Sequence, residues 1–355
     1  HVVSLLFLSL ISFCFSTNAQ ITWQKSLGGD SSDAARSIQQ TTDGGYVVAG
    51  YSNSINGDVS GNHGNLDYWI VKLDGSGNLQ WQKSLGGSGD DWAHSIQQAT
   101  DGGYVVAGYS NSNNGDVKGN HGDYDYWIVK LDNSGNLQWQ NALGGSDSDK
   151  AYSIQQTTDG GYVVAGESES HDGNISGNHG DYDSWIVKLD GSGDLQWQKS
   201  LGGSDNDGAR SIQQTTDGGY VAAGTSASNN GDVSGVLGFW DYWIVKLDGT
   251  GNLLWQNSLG GIYGDVAFSI QQTSDGGFVA AGYQSNVTNI PLEPGDKDYY
   301  IVKLDASGNL QWQKTLGGSD DDRAWSIQQT IDGGYVIAGE AESDDGDVGG
   351  NYGQD

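Results

Sequence analysis

The chain alternates short apolar runs with clusters of Gly, Asp, Asn and Ser. In YWIVKLD (Tyr68–Asp74), Trp69, Val71 and Leu73 fall on one side of an extended backbone, and Tyr68, Ile70 and Lys72 on the other, because successive strand side chains point to opposite faces. Both sides are largely apolar, which predicts a strand covered on both faces. SIQQT (Ser37–Thr41), the turn Thr42-Asp43-Gly44-Gly45 and YVVAGYS (Tyr46–Ser52) read as one hairpin. YWIVKLD, the turn Gly75-Ser76-Gly77-Asn78 and LQWQKSL (Leu79–Leu85) read as a second, since Asp-Gly and Gly-Ser turns between β-branched and aromatic runs are hairpin signals. No segment carries a helical apolar period of useful length.

This four-strand unit recurs. The tryptophan of its WQ phrase stands at Trp23, Trp81, Trp139, Trp197, Trp255 and Trp312, spaced 58, 58, 58, 58 and 57 residues apart. Six repeats of about 58 residues with four strands each predict an all-β fold, a β-propeller of four-stranded blades with the last blade truncated. An open β-solenoid is the competing architecture, but its coils are usually shorter. The segment Ile21–Leu27 corresponds to a fourth strand and is placed to complete the last blade. The expected propeller domain spans residues 20–355, incomplete at its C-terminus, a monomeric propeller within a larger chain.

The first residues, HVVSLLFLSLISFCFSTNAQ, hold an apolar run from Val2 to Phe15 followed by small and polar residues. They read as a secretory signal peptide over residues 1–19, truncated at its start and cut after Ala19, and the run is too short to span a bilayer comfortably. Secretion is the expected localisation, to the medium or the cell surface, with no stable membrane insertion once the signal is removed. Cys14 is the sole cysteine, so the mature chain has neither disulfides nor a catalytic thiol. Forty-five acidic residues against 15 basic ones give a net charge of −30. That field disfavours nucleic acid and anionic membranes and favours cations, basic proteins or neutral glycans.

The unit GGSGDDWAHSIQQATDGGYVVAGYS (Gly86–Ser110) followed by DYWIVKLDNSGNLQW (Asp125–Trp139) resembles the repeats of large secreted β-propeller proteins of Bacteroidetes, often substrates of type IX secretion. The resemblance runs from Gln20 to Asp355. It implies a secreted or surface-attached propeller, often part of a longer protein with a C-terminal sorting domain. Endoglucanase and lectin labels sometimes accompany such repeats, but the resemblance places no catalytic residue on this chain.

In four-stranded blades, the loop between the second and third strands and the linker between blades emerge on the same rim. Loops of the type NGDVSGNHG (Asn56–Gly64) therefore share a face with linkers such as GGSGDDWA (Gly86–Ala93), and binding is expected there. Asp58, Asp116, Asp232 and Asp347 recur at one loop position, with Asn174 in the third repeat. Calcium is the one cofactor such oxygen-rich loops could hold; a plain solvated loop is the other reading. His63, His121 and His179 occupy equivalent places in successive blades, so they cannot meet on one zinc ion and read as surface residues. The repeated lysines (Lys72, Lys130, Lys188, Lys246 and Lys303) are expected to pair with turn aspartates or reach water, and the repeated tryptophans to pack in the blades.

One position breaks the repeat with residues that are all large. Before the Ser of each first strand stand Arg36, His94, Tyr152, Arg210, Phe268 and Trp325. They are expected to ring the mouth of the central channel, where aromatic and Arg side chains can stack on sugars or anchor a peptide. Catalytic chemistry has no such focus: glycosidases need two carboxylates set apart in pKa, whereas nearly every acid here is one copy of a sixfold set. The expected function is a binding or structural module for an extracellular glycan or protein. A polysaccharide-degrading enzyme, or a propeller attached to one, is the alternative, and a passive adhesin or stalk is the third.

Overall fold

The computed structural model describes residues 23–287 and 294–349. The expected signal peptide, residues 1–19, lies outside the described residues. The described residues form 22 strands, β1 to β22 in chain order. Five antiparallel sheets of four strands follow one another, β1–β4 (33–85), β5–β8 (91–143), β9–β12 (149–201), β13–β16 (207–259) and β17–β20 (265–316). A sixth sheet holds β21 (Asp322–Gln329) and β22 (Tyr335–Ala341). Each sheet is a meander in sequence order, and the first strands of all six line one central channel. The molecule is a β-propeller.

The alternation read from the sequence is what packs the blades. In β6 (Tyr104–Ser110), Tyr104 and Val106 pack on the blade before, and Val105 and Ala107 on the blade after. The third strands of the first four sheets are buried at every position, and Trp127, Trp185 and Trp243 are among the largest fully buried side chains. Covering such a side chain contributes about 1.5–3 kcal/mol. Tyrosine hydroxyls add directional ties: Tyr68 donates to the Trp127 carbonyl and Tyr126 to the Trp185 carbonyl, each at 2.8 Å.

The innermost strand of each blade is a sheet edge, whose free amides need partners. The repeated SIQQ phrase supplies them from the preceding blade. Ile96 N donates to Ser37 Oγ at 3.2 Å and Ile154 N to Ser95 Oγ at 3.3 Å, while Gln98 N donates to Gln39 Oε1. The buried lysines pair with turn aspartates of their own blade, Lys72 with Asp43 at 2.9 Å and Lys130 with Asp101 at 2.8 Å.

Two segments differ from the sequence reading. Residues 23–27 form no strand, because no third strand among the described residues stands beside them to complete a ladder. Trp23 nevertheless packs on Tyr46 and over Gly77 as Trp81 packs on Tyr104 and over Gly135. The expected loop from Tyr283 to Asp298 is partly strand: β18 (Phe278–Val287) and β19 (Pro294–Leu304) stay in register to Ser285 opposite Lys297 and Val287 opposite Pro294. This repeat lacks the Asn-Gly-Asp turn, or its Asp-Gly-Asn and Asp-Gly-Asp equivalents, that follows the second strand elsewhere.

Candidate binding site at the channel mouth

All six residues that break the repeat are bulge residues. Pairing between the first two strands skips Arg36, His94, Tyr152, Arg210, Phe268 and Trp325, each lying between two residues that keep their partners. A bulge adds one residue to one strand, bends it and re-aims the side chain. The glycine opposite makes the bend possible. A Cβ on Gly108 would overlap the Trp92 carbonyl oxygen, and one on Gly166 the Lys150 carbonyl oxygen. A glycine inside a strand, repeated six times in the phrase AG, was the available signal for these bulges.

The six re-aimed side chains line one cavity of about 480 Å³. Ring contacts join two groups of its wall residues. Phe268 and Trp325 lie 4.3 Å apart between ring centroids, His94 meets Tyr152 edge-on at 5.1 Å, and the Arg210 guanidinium sits 3.9 Å from the Tyr152 ring centroid. Tyr152 donates its hydroxyl to Glu167 Oε1 at 2.7 Å, and Arg210 reaches Glu167 Oε2 at 3.2 Å. Burial, with Arg36 and Arg210 adding to it, pushes the His94 pKa down to about 3, so its ring is neutral at physiological pH. His94 Nε2 is buried with no hydrogen-bond partner. Trp325 keeps 46% of its surface exposed, leaving a ring available for stacking.

Next to the mouth lies a pocket of about 310 Å³ that the sequence reading missed. It opens over Gly208 and is bordered by Glu167, Tyr182, Trp240 and Tyr283. Its sequence signal was the glycine of DGARS, at a position held by Trp92, Lys150 and Arg323 in other repeats.

The acidic loops do share a rim with the blade linkers. Asp58 N donates to the Gly28 carbonyl at 2.9 Å, and Gly28 N reaches Asp58 Oδ2 at 3.2 Å. Asp116 and Asp232 pair with Gly86 and Gly202 in the same way, and Asp347 N donates to the Gly317 carbonyl at 2.9 Å. Asn174 fits the pattern because its Oδ1 accepts from Gly144 N at 3.1 Å. The four aspartates stand in four different blades, and no group of three or more His, Cys, Asp or Glu close enough to share a metal occurs among the described residues. His63, His121 and His179 are half-exposed, not merely solvent-facing: each ring Nδ1 lies 2.7–2.9 Å from a fully buried carboxylate, that of Asp67, Asp125 or Asp183.

No known family profile matches the chain. The regulatory protein FlaEY of Caulobacter vibrioides is 27% identical over 137 residues, which cover 35% of this chain and 14% of that protein. Among solved structures, the Pan2 WD40 domain of Neurospora crassa is similar with a TM-score of 0.50 and 11% identity, over 85% of this chain and 72% of that one. BamB of Moraxella catarrhalis is similar at a TM-score of 0.37 and 13% identity, over 86% and 85%. At such identities the Pan2 likeness bears on the fold alone.

Proposed function

We propose that this propeller is a recognition module, secreted or held at the cell surface, that binds an extracellular glycan or protein at the mouth of its channel. The observation that carries the reading is the convergence of six large side chains of five kinds on one cavity, at a position where the repeat phrase around them changes little. Aromatic faces at Phe268 and Trp325, guanidinium groups at Arg36 and Arg210 and the unpartnered His94 Nε2 combine stacking with polar recognition, the mixture that small-ligand and peptide anchors use. The resemblance to secreted Bacteroidetes repeats supports the extracellular setting. The hydrolase reading finds less support, since Glu167 is engaged by Tyr152 and Arg210.

The test is a screen of neutral and acidic oligosaccharides and of extracellular proteins, repeated with Trp325→Ala and Phe268→Ala. Each variant is expected to weaken binding at least about tenfold, as loss of an aromatic anchor does. Saturable binding unchanged in both variants overturns the mouth as the site, and release of new reducing ends from a bound glycan would replace the module reading with the enzyme.

A further inference from the structure

The side pocket over Gly208 has an occupied counterpart one blade earlier. There Lys150 stands at the position of Gly208, its ammonium 6.0, 5.6 and 5.8 Å from the ring centroids of Tyr109, Tyr124 and Tyr182. Three ring faces around one ammonium form a cation–π cage. Moving one blade along the repeat turns Tyr109 into Glu167, Tyr124 into Tyr182, Tyr182 into Trp240 and Lys150 into Gly208. All four of these later residues border the pocket. The cage therefore persists with two rings and a carboxylate, and only the cation's own side chain is missing.

We propose that the pocket over Gly208 binds an alkylammonium group, brought either by a small amine or by a lysyl side chain of a partner. Trp240 offers the better ring, since indole is the strongest of the aromatic faces toward a cation, and 45% of its surface is exposed. Glu167 Oε2 would lie within 2.8 Å of a Cβ on Gly208, so the carboxylate borders the space a side chain there would enter. It already meets Arg210, so it orients an incoming ammonium and shares its charge between the two cations. The molecule's net charge of −30 favours cations over anions as ligands.

The intact chain is titrated calorimetrically with n-butylammonium, with a peptide carrying one lysine, and with the same peptide acetylated at Nε. The expected result is one site per chain for the first two and at least tenfold weaker binding of the acetylated peptide. Binding of butylammonium as tight as that of the peptide points to a free amine as the source; much tighter peptide binding points to a partner's lysine. Gly208→Lys, which supplies the ammonium in cis, is expected to abolish the site. Lys150→Gly is expected to open a second, raising the stoichiometry from one to two. Trp325→Ala, at the mouth but outside this pocket, is expected to leave amine binding unchanged, so failure of this inference is separable from failure of the mouth as a glycan or protein site. Equal affinity for the acetylated peptide, or undiminished binding to Gly208→Lys, overturns the proposal whatever Lys150→Gly does.

Discussion

At the scale of single residues, the mouth depends on atoms that are absent. Gly50, Gly108, Gly166, Gly224, Gly282 and Gly339 face the bulges, and a Cβ on any of them would overlap a backbone carbonyl oxygen of the facing first strand. Backbone cannot retreat as a flexible side chain can, so Gly166→Ala must flatten the bulge and swing Tyr152 out of the mouth. The expected cost is at least about 3 kcal/mol, the upper range for overpacking, read by chemical denaturation, together with loss of any mouth ligand. Gly208→Ala is the contrast: its new Cβ meets the movable end of Glu167, so its cost should stay near about 1 kcal/mol. The identities of the mouth residues were legible in the sequence because they broke the repeat. That they are bulge residues was written only in the neighbouring glycine, whose meaning depends on a facing strand. The partners of Glu167 were not legible, since Tyr152 and Arg210 reach it from different strands of two blades.

At the scale of elements, alternation and turn chemistry gave each blade its strands, because those signals are local. The behaviour of residues 23–27 was not local: the segment has the composition of an outer strand, but a strand exists only with a hydrogen-bonded neighbour. The repeated acidic loops act as struts: each ties a blade linker through a backbone bond, and Asp58, Asp116 and Asp232 add a side-chain bond. Asp116→Ala removes the side-chain half and is expected to cost about 0.5–2 kcal/mol, as loss of a comparable cap does, while Asp116→Asn, imitating Asn174, should cost less. Millimolar calcium is expected to leave the melting temperature of the wild type unchanged. A calcium-dependent rise lost in the variants at Asp58, Asp116, Asp232 and Asp347 would return these loops to ion binding.

At the scale of the whole molecule, the ring of blades buries carboxylates in facing pairs. A Cβ on Gly144 would touch both Asp125 Oδ1 and Asp149 Oδ2, and one on Gly202 both Asp183 Oδ1 and Asp207 Oδ2. Asp67 Oδ1, Asp125 Oδ1, Asp183 Oδ1 and Asp241 Oδ1 are buried without a hydrogen-bond partner. Burial, with the facing carboxylate adding to it, raises Asp91 and Asp149 to about 6 and Asp265 to about 7, and burial raises Asp183 to about 6 against its bonds from His179. The folded protein thus holds protons that the unfolded chain has released between the ordinary carboxylate pKa, about 3.9, and about pH 6–7. Stability must fall as pH rises through that window. The turn aspartates act oppositely: hydrogen bonds from Thr157 and Lys188 lower Asp159 to about 2 against its burial, so its contribution is lost only on acidification below the ordinary range. Together they place the stability maximum near about pH 4–5. The melting temperature is expected to be higher at pH 5 than at pH 7.5 by more than about 3 °C, a shift that about 1 kcal/mol produces in a domain of this class. Repulsion among surface carboxylates would give the same sign, but 0.5 M NaCl screens exposed charges and leaves buried pairs largely unscreened. A difference that survives salt, and that shrinks in Asp125→Asn through a higher melting temperature at pH 7.5, assigns it to the pairs. The amide of that variant keeps an acceptor for His121 and sets an uncharged group beside Asp149, relieving the repulsion that neutral pH imposes on the native pair. A difference abolished by salt in the wild type would instead make it a property of the net charge.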